Sequence, residues 1–159
     1  MKIGIISDTH GSLPTAVHRV FTGVDHIIHA GDIGGQHILD ELELIAPLTA
    51  ILGNCDYSGD YTTANQYASI TLAGMRLYIA HKPESVTRAL MGRGGLLTSA
   101  PLPNICIHGH THVPRNEYTG AILVLCPGSP VRPRGGSMPS VMLLELTTSR
   151  PPLVDLRTL

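Results

Sequence analysis

Three short apolar runs at the start of the chain, separated by helical patterns, restrict the fold more than any other feature. Lys2 to Ser7 is a β-branched run with no polar alternation, as expected of a strand buried on both faces. Asp25 to Ala30 and Leu48 to Leu52 read as the second and third strands. Between the first two, Leu13, Ala16, Val17, Val20 and Phe21 share one helical face. Ser12 is the expected N-cap of that helix, and Pro14 sits in its first turn, where a missing N–H is harmless. Gly34 and Gly35 open a second helix with the buried stripe Ile38, Leu39, Leu42 and Ile45, closed by Pro47. A β-α-β-α-β opening calls for a parallel sheet with right-handed crossovers.

The pattern then changes. Tyr57 to Gln66 is polar and reads as loop. Tyr67 to Leu72 and Met75 to Ala80 pair across Ala73-Gly74, and Pro83 to Met91 is helical. Gly92 to Pro103 is rich in glycine and proline, a lid or a connection. Ile105 to Ile107 is a short buried strand that stops at His108-Gly109, with Pro114 preventing its continuation. Arg115 to Thr119, Ala121 to Cys126, Ser140 to Thr147 and Pro152 to Leu156 follow as strands without helices between them. The last alternates Val154 and Leu156 with Asp155 and Arg157, which suits an edge strand. The chain is α/β at its start and mostly antiparallel at its end, enough for two sheets packed face to face. Its 159 residues suit a single domain, 1–159, with a proper core.

Composition narrows the function. A net charge of −1 gives no electrostatic reason to expect nucleic acid or a polybasic membrane contact. No stretch approaches the length of a membrane span, and Ile3 to Ile6 reaches Asp8 too soon for a signal sequence, so a cytoplasmic protein is expected. Three cysteines without CxxC spacing fit neither a disulfide framework nor a zinc ribbon. Nine histidines against one phenylalanine and no tryptophan point to a site that consumes several of them.

The strand ends supply that site: Asp8 and His10, Asp32, Asn54, His81, then His110 and His112. Ligands of open α/β sheets collect at the carboxyl ends of strands, so these segments can meet in one crevice. In an extended chain His110 and His112 share a direction, and His108 points the same way. Two carboxylates, an amide oxygen and four imidazoles suit two divalent ions sharing a carboxylate, with Mn, Fe, Zn, Co or Ni favoured over Ca or Mg. Singly, each residue has a plainer use. Asp8 and Asp32 can cap helices, Asn54 can form a turn, and His81 can be a satisfied core histidine. His18, His26 and His37 read as surface residues, His29 as a support for Asp32, and Cys55 as a small buried residue. Lys82, Arg115, Arg132 and Arg134 are the cations best placed for phosphate.

Taken in order, Asp8-Thr9-His10, Gly31-Asp32, Gly53-Asn54, His81 and Gly109-His110-Thr111-His112 resemble the ligand motifs of the calcineurin-like metallophosphoesterases. Gly53-Asn54-Cys55-Asp56 and Pro127-Gly128-Ser129 resemble the small prokaryotic phosphodiesterase branch of the YfcE type. The resemblance implies a four-layer α/β/β/α sandwich of two mixed sheets flanked by helices. It implies that Asp8, His10, Asp32 and His112 hold a first ion and Asp32, Asn54, His81 and His110 a second, Mn before the other metals. The implied activity is metal-dependent phosphodiester hydrolysis on a small substrate, with Asp32, Asn54 and His81 in the catalytic set and a hydroxide bridging two ions as nucleophile. A phosphomonoesterase and a non-catalytic scaffold like the retromer subunit of the same fold are the alternatives, and a homo-oligomer is left open. Three positions depart from the pattern: Cys55 replaces a histidine, Lys82-Pro83 follows His81 in place of Gly-His, and Cys126 precedes Pro127 in place of asparagine.

Overall fold

A computed structural model of the protein describes residues 1–91 and 101–159. The strands are β1 (Lys2–Ile6), β2 (His26–His29), β3 (Leu48–Ala50), β4 (Tyr67–Leu72), β5 (Met75–Ala80), β6 (Ile105–Ile107), β7 (Arg115–Thr119), β8 (Ile122–Cys126), β9 (Ser140–Glu145) and β10 (Leu153–Thr158). The helices are α1 (Thr15–Phe21), α2 (Gln36–Glu43) and α3 (Pro83–Leu90). One sheet has the order β10-β9-β1-β2-β3 and the other β4-β5-β6-β8-β7.

Side-chain alternation turns these sheets into layers. Ile3, Ile5, Ile28, Leu77, Ile79, Ile105 and Ile107 face one another between the sheets in one continuous core. The opposite face of the first sheet, with Ile6, Ile27, Val141 and Leu143, packs on Val17 and Phe21 of α1 and Leu39 and Leu42 of α2. The opposite face of the second, with Tyr78, Ala80 and Cys106, packs on Val86 of α3. The result is an α/β/β/α sandwich. Burying each large aliphatic side chain stabilises it by about 1.5–3 kcal/mol, which is why the central strands need no polar alternation.

β1, β2, β3, β8 and β9 are shorter than the apolar runs implied, β4 to β7 keep the expected bounds, and β10 runs on to Thr158. The first helix begins later as well: Pro14, not Ser12, occupies the N-cap and makes no side-chain cap bond. Ser12 is instead held in a turn, its N–H donating to Thr9 O at 2.9 Å. The later strands are mostly antiparallel, as expected, in the pairs β4 with β5, β7 with β8, and β9 with both β1 and β10; the exception is β6, which lies parallel to both β5 and β8. β10 is an edge strand, as its alternation required. The greater part of the Gly92 to Pro103 segment, residues 92–100, lies outside the described residues. Among the described residues, no helix is long and apolar enough to cross a membrane.

Candidate metal centre

Parallel pairing of β1 with β2, of β2 with β3, and of β5 with β6 brings the ends of each set to one edge of its sheet. Short bonds then tie the two edges together. His110 N–H donates to Asp8 Oδ2 at 3.0 Å and His81 Nδ1 to Ala30 O at 2.8 Å, both across the sheets, while Gly109 N–H donates to His81 O at 3.0 Å within the second sheet. Asp8 therefore caps no helix; its carboxylate sits at the seam, fully buried. A Cβ at Gly109 would collide with Ser7 Oγ and lie 2.7 Å from Asp8 Oδ2, so only glycine fits there.

Ligand atoms of Asp8, His10, Asp32 and His112 all lie within 4.8 Å of one another. His112 Nε2 is 3.1 Å from Asp8 Oδ1 and 3.4 Å from His10 Nε2, and His10 Nε2 is 3.9 Å from Asp32 Oδ2. The other carboxylate oxygen of Asp32 turns the opposite way, with Oδ1 3.4 Å from His81 Nε2. The His81 and His110 rings meet edge-on, their centroids 5.2 Å apart. Asn54 and His81 line one cavity of about 510 Å³, and Asn54 donates to Cys55 Sγ at 3.3 Å. His110 and His112 do not share a direction. Both have left-handed backbones, with φ of 67° and 59°, and each turns toward a different half of the site.

Backbone strain is concentrated here. Among the described residues six non-glycine residues have positive φ, and five are Asp8, His10, Asp32, His110 and His112. Each such residue costs on the order of 1–3 kcal/mol, which the surrounding structure must offset.

The donor set fits a cation. Carbonyls only accept, so the 2.8 Å bond from His81 Nδ1 to Ala30 O and the 2.6 Å bond from His112 Nδ1 to Arg132 O place the ring protons there. In the neutral ring each Nε2 then offers a lone pair to an ion; without one, burial acts to lower His81 but the Asp32 carboxylate prevails and raises it. Asp8 Oδ1 and His81 Nε2 are buried without a hydrogen-bond partner among the described residues. Burial pushes the Asp8 carboxyl above its ordinary pKa. A bound cation would reverse that penalty. Burial also acts to raise Asp32, but the His81 ring and the Cys55 N–H at 2.8 Å overcome it and hold that carboxyl well below the usual range. Atoms about 2.0–2.2 Å from one ion can be at most twice that distance apart, so the four-residue cluster is a few tenths of an ångström from closing on one. Burial lowers His110, and the nearby His81 and Lys82 charges lower it further.

The supports around this cluster escaped sequence reasoning. Asp56 accepts from Ile33 N–H at 3.0 Å, Gly34 N–H at 3.1 Å, Gly53 N–H at 2.8 Å and Tyr61 O–H at 2.7 Å. It thereby pins the loop after β2 to the loop after β3. Ser129 O–H donates to Asp8 O at 2.8 Å, so the Pro127-Gly128-Ser129 turn braces the Asp8 backbone. His29 touches the backbone before Asp32, not the carboxylate. Gly31 N–H donates to its Nδ1 at 3.2 Å, leaving its Nε2–H for Thr9 Oγ1 at 2.9 Å. Burial pushes the His29 pKa down to about 3, so the ring is neutral. His108 is a core residue. Cys55 is exposed, contrary to its reading as a buried packing residue. Burial, and then the Asp32 charge, raise its thiol, which stays protonated at neutral pH. Arg115 is occupied by Glu117, with Nε at 2.6 Å from its carboxylate, and is not free for phosphate.

The Asp56 clamp has a pH signature. Burial acts to raise its carboxyl, but the Gly53 N–H, the Tyr61 hydroxyl and the Ile33 and Gly34 N–H groups prevail and depress it. A depressed folded pKa stabilises above the unfolded value of about 3.9, and the contribution is lost as pH falls through the folded value. Asp56→Asn should cost about 1–3 kcal/mol near pH 7. The gap from wild type should close as the pH is lowered below about 4. Thermal unfolding of both metal-free proteins checks this; a gap constant from neutral to acid pH would show the charge to be irrelevant.

Residues 1–149 match the family model described as the calcineurin-like phosphoesterase superfamily domain. A "Probable metallophosphoesterase" of Methanothermobacter thermautotrophicus is 36% identical over 155 residues, covering 92% of this chain and 86% of the relative. The solved structure of YfcE, a phosphoesterase from Escherichia coli, superposes with a TM-score of 0.70 at 26% identity, covering 91% of this chain and 88% of that one. Vps29 of Entamoeba histolytica gives a TM-score of 0.75 at 18% identity over 99% and 98% of the two chains, a likeness of fold alone. The matched model spans β1 through β9, and the strand ends it includes carry the carboxylate and imidazole cluster. The chain belongs to the calcineurin-like phosphoesterase superfamily and is a metal-dependent hydrolase of that family.

Proposed function

We propose that the protein hydrolyses small phosphodiesters at a centre of two divalent transition-metal ions, Mn in the first instance. Asp8, His10, Asp32 and His112 would hold one ion, and Asp32, Asn54, His81 and His110 the other. The observation that carries this reading is Asp32 itself, whose two oxygens face opposite halves of the site, one toward His10 and one toward His81. Divalent ions held there supply Lewis acidity and a water acidified to act as nucleophile near neutral pH. The chain's own residues fix the geometry. Ala30 O and Arg132 O hold the His81 and His112 rings, and the His81 ring with the Cys55 N–H keeps Asp32 ionised. Similarity to a phosphodiesterase, YfcE, 28% identical over 91% of this chain, supports the choice of a diester and of that branch. The same reading treats 1–159 as one cytoplasmic domain, a setting that suits three free cysteines. A scaffold role draws only on a shared fold with Vps29 and explains neither the strained ligand turns nor the unpartnered Asp8 and His81 atoms.

Metal-saturated protein should turn over bis-p-nitrophenyl phosphate, lose that activity to a chelator and regain it with Mn²⁺. If two ions bind and neither this diester nor p-nitrophenyl phosphate is cleaved, the scaffold reading replaces the enzyme. A clear preference for the monoester would keep the reaction class and remove the diester.

Cys55 lies beside Asp32 but is a weak leaving-group acid, with an ordinary thiol pKa of about 8.5 against about 6.5 for imidazole and a further upward shift here. Cys55→His should therefore raise turnover of alkyl esters more than that of p-nitrophenyl esters, which leave without a proton. Equal effects on both classes at unchanged metal content would assign leaving-group protonation elsewhere.

A further inference from the structure

The 510 Å³ cavity beside the second half of the site lies within the range of small-molecule pockets, about 300–1,000 Å³. Asn54 and His81 form one wall, so it opens directly onto the proposed reaction centre. Tyr67 and Tyr78 supply an aromatic wall. They project from the same face of β4 and β5, with ring centroids 6.4 Å apart and an interplanar angle of 26°. Tyr78 is packed into the core, whereas Tyr67 is 40% exposed and presents aromatic surface to the cavity. Lys82 and Arg88, both exposed, bring two cations to the α3 side. Neither makes an ion pair among the described residues, and no carboxylate lines the cavity.

We propose that this cavity binds one ester arm of the substrate and that the arm carries a planar ring and a negative charge of its own. The ring lies against Tyr67, and the charge meets Lys82 and Arg88 while the phosphodiester sits over the metal centre. This specificity rests on the diesterase reading. The reaction is unchanged: the water oxygen bonds to phosphorus, the ester P–O bond breaks, and the departing alcohol takes a proton from solvent.

The test uses two diesters with the same leaving group, 4-carboxyphenyl p-nitrophenyl phosphate and phenyl p-nitrophenyl phosphate, with Mn²⁺-saturated protein. The carboxylate should raise kcat/KM about five- to tenfold, the effect of a partly desolvated charge pair, and added salt should shrink that advantage. Arg88→Gln should bring the ratio of the two substrates toward one. Calorimetry on metal-free protein with 4-carboxyphenyl phosphate and 3-carboxypropyl phosphate reads binding without turnover. The aryl ligand should bind more tightly, and Tyr67→Ala should remove its advantage. A carboxylate that brings no gain, or an Arg88→Gln loss equal for both diesters, would overturn the proposal. If neither diester is cleaved, the diesterase reading has failed, and the calorimetric comparison alone decides whether the cavity takes a charged ring.

Discussion

Asp32→Ala should lose both metal ions and at least about a thousandfold in kcat/KM on bis-p-nitrophenyl phosphate. Several kcal/mol of Lewis-acid stabilisation depend on the bound ions, and each 1.36 kcal/mol is a factor of ten in rate. Asp32 is singular because one of its oxygens faces His10 and the other His81. Loss of His112 removes a contact from one half only, so His112→Ala should retain metal at the Asn54 half. Elemental analysis of each variant after metal loading separates the two cases. If Asp32→Ala still carries two equivalents, Asp32 is not shared.

Gly109→Ala should destabilise the protein and loosen its metal centre together. Its Cβ would collide with Ser7 Oγ, lie 2.7 Å from Asp8 Oδ2 and come within 3.0 Å of Ala30 O, at the seam between the sheets. Overpacking of this kind costs about 1–3 kcal/mol, and each kcal/mol moves Tm by roughly 2–4 °C in a chain of this size. Displacing Asp8 should also weaken metal binding at least about tenfold, since 1.36 kcal/mol suffices. Gly120→Ala is the control. That position has φ of 61° but nothing within 4 Å of the added carbon, so it should lower stability without touching metal affinity. Equal metal affinities in the two variants would mean that the seam does not position Asp8.

The strand ends were legible because an unbroken apolar run that stops at aspartate or histidine marks where a buried strand leaves the core. Asp8, Asp32 and His81 were found that way, as were the hairpin at Ala73-Gly74 and the edge strand at Leu153–Thr158. The orientations of His110 and His112 were not legible. Their left-handed φ values accompany bonds to distant parts of the chain, from His110 N–H to Asp8 Oδ2 across the sheets and from Gly109 N–H to His81 O at the ends of β6 and β5. Local periodicity carries no trace of such contacts. The same holds for Asp56, whose partners at Ile33 and Gly34 lie 23 and 22 residues away in sequence. Nor does an apolar run say which neighbour it pairs with, so the parallel placement of β6 between β5 and β8 was not legible. The cap of α1 went to Pro14 because Ser12 is held in the Thr9 turn, a competition between two local bonds that the sequence leaves undecided.

The most direct measurement is anomalous diffraction at a manganese-sensitive wavelength from crystals of the Mn²⁺-loaded protein. Two peaks about 3.5–4 Å apart, one among Asp8, His10 and His112 and the other among Asn54, His81 and His110, with Asp32 between them, are the expected result. A single peak confined to the Asp8 half, with Asn54 still bonded to Cys55 Sγ and His81 Nε2 still unpartnered, would contradict the two-metal account.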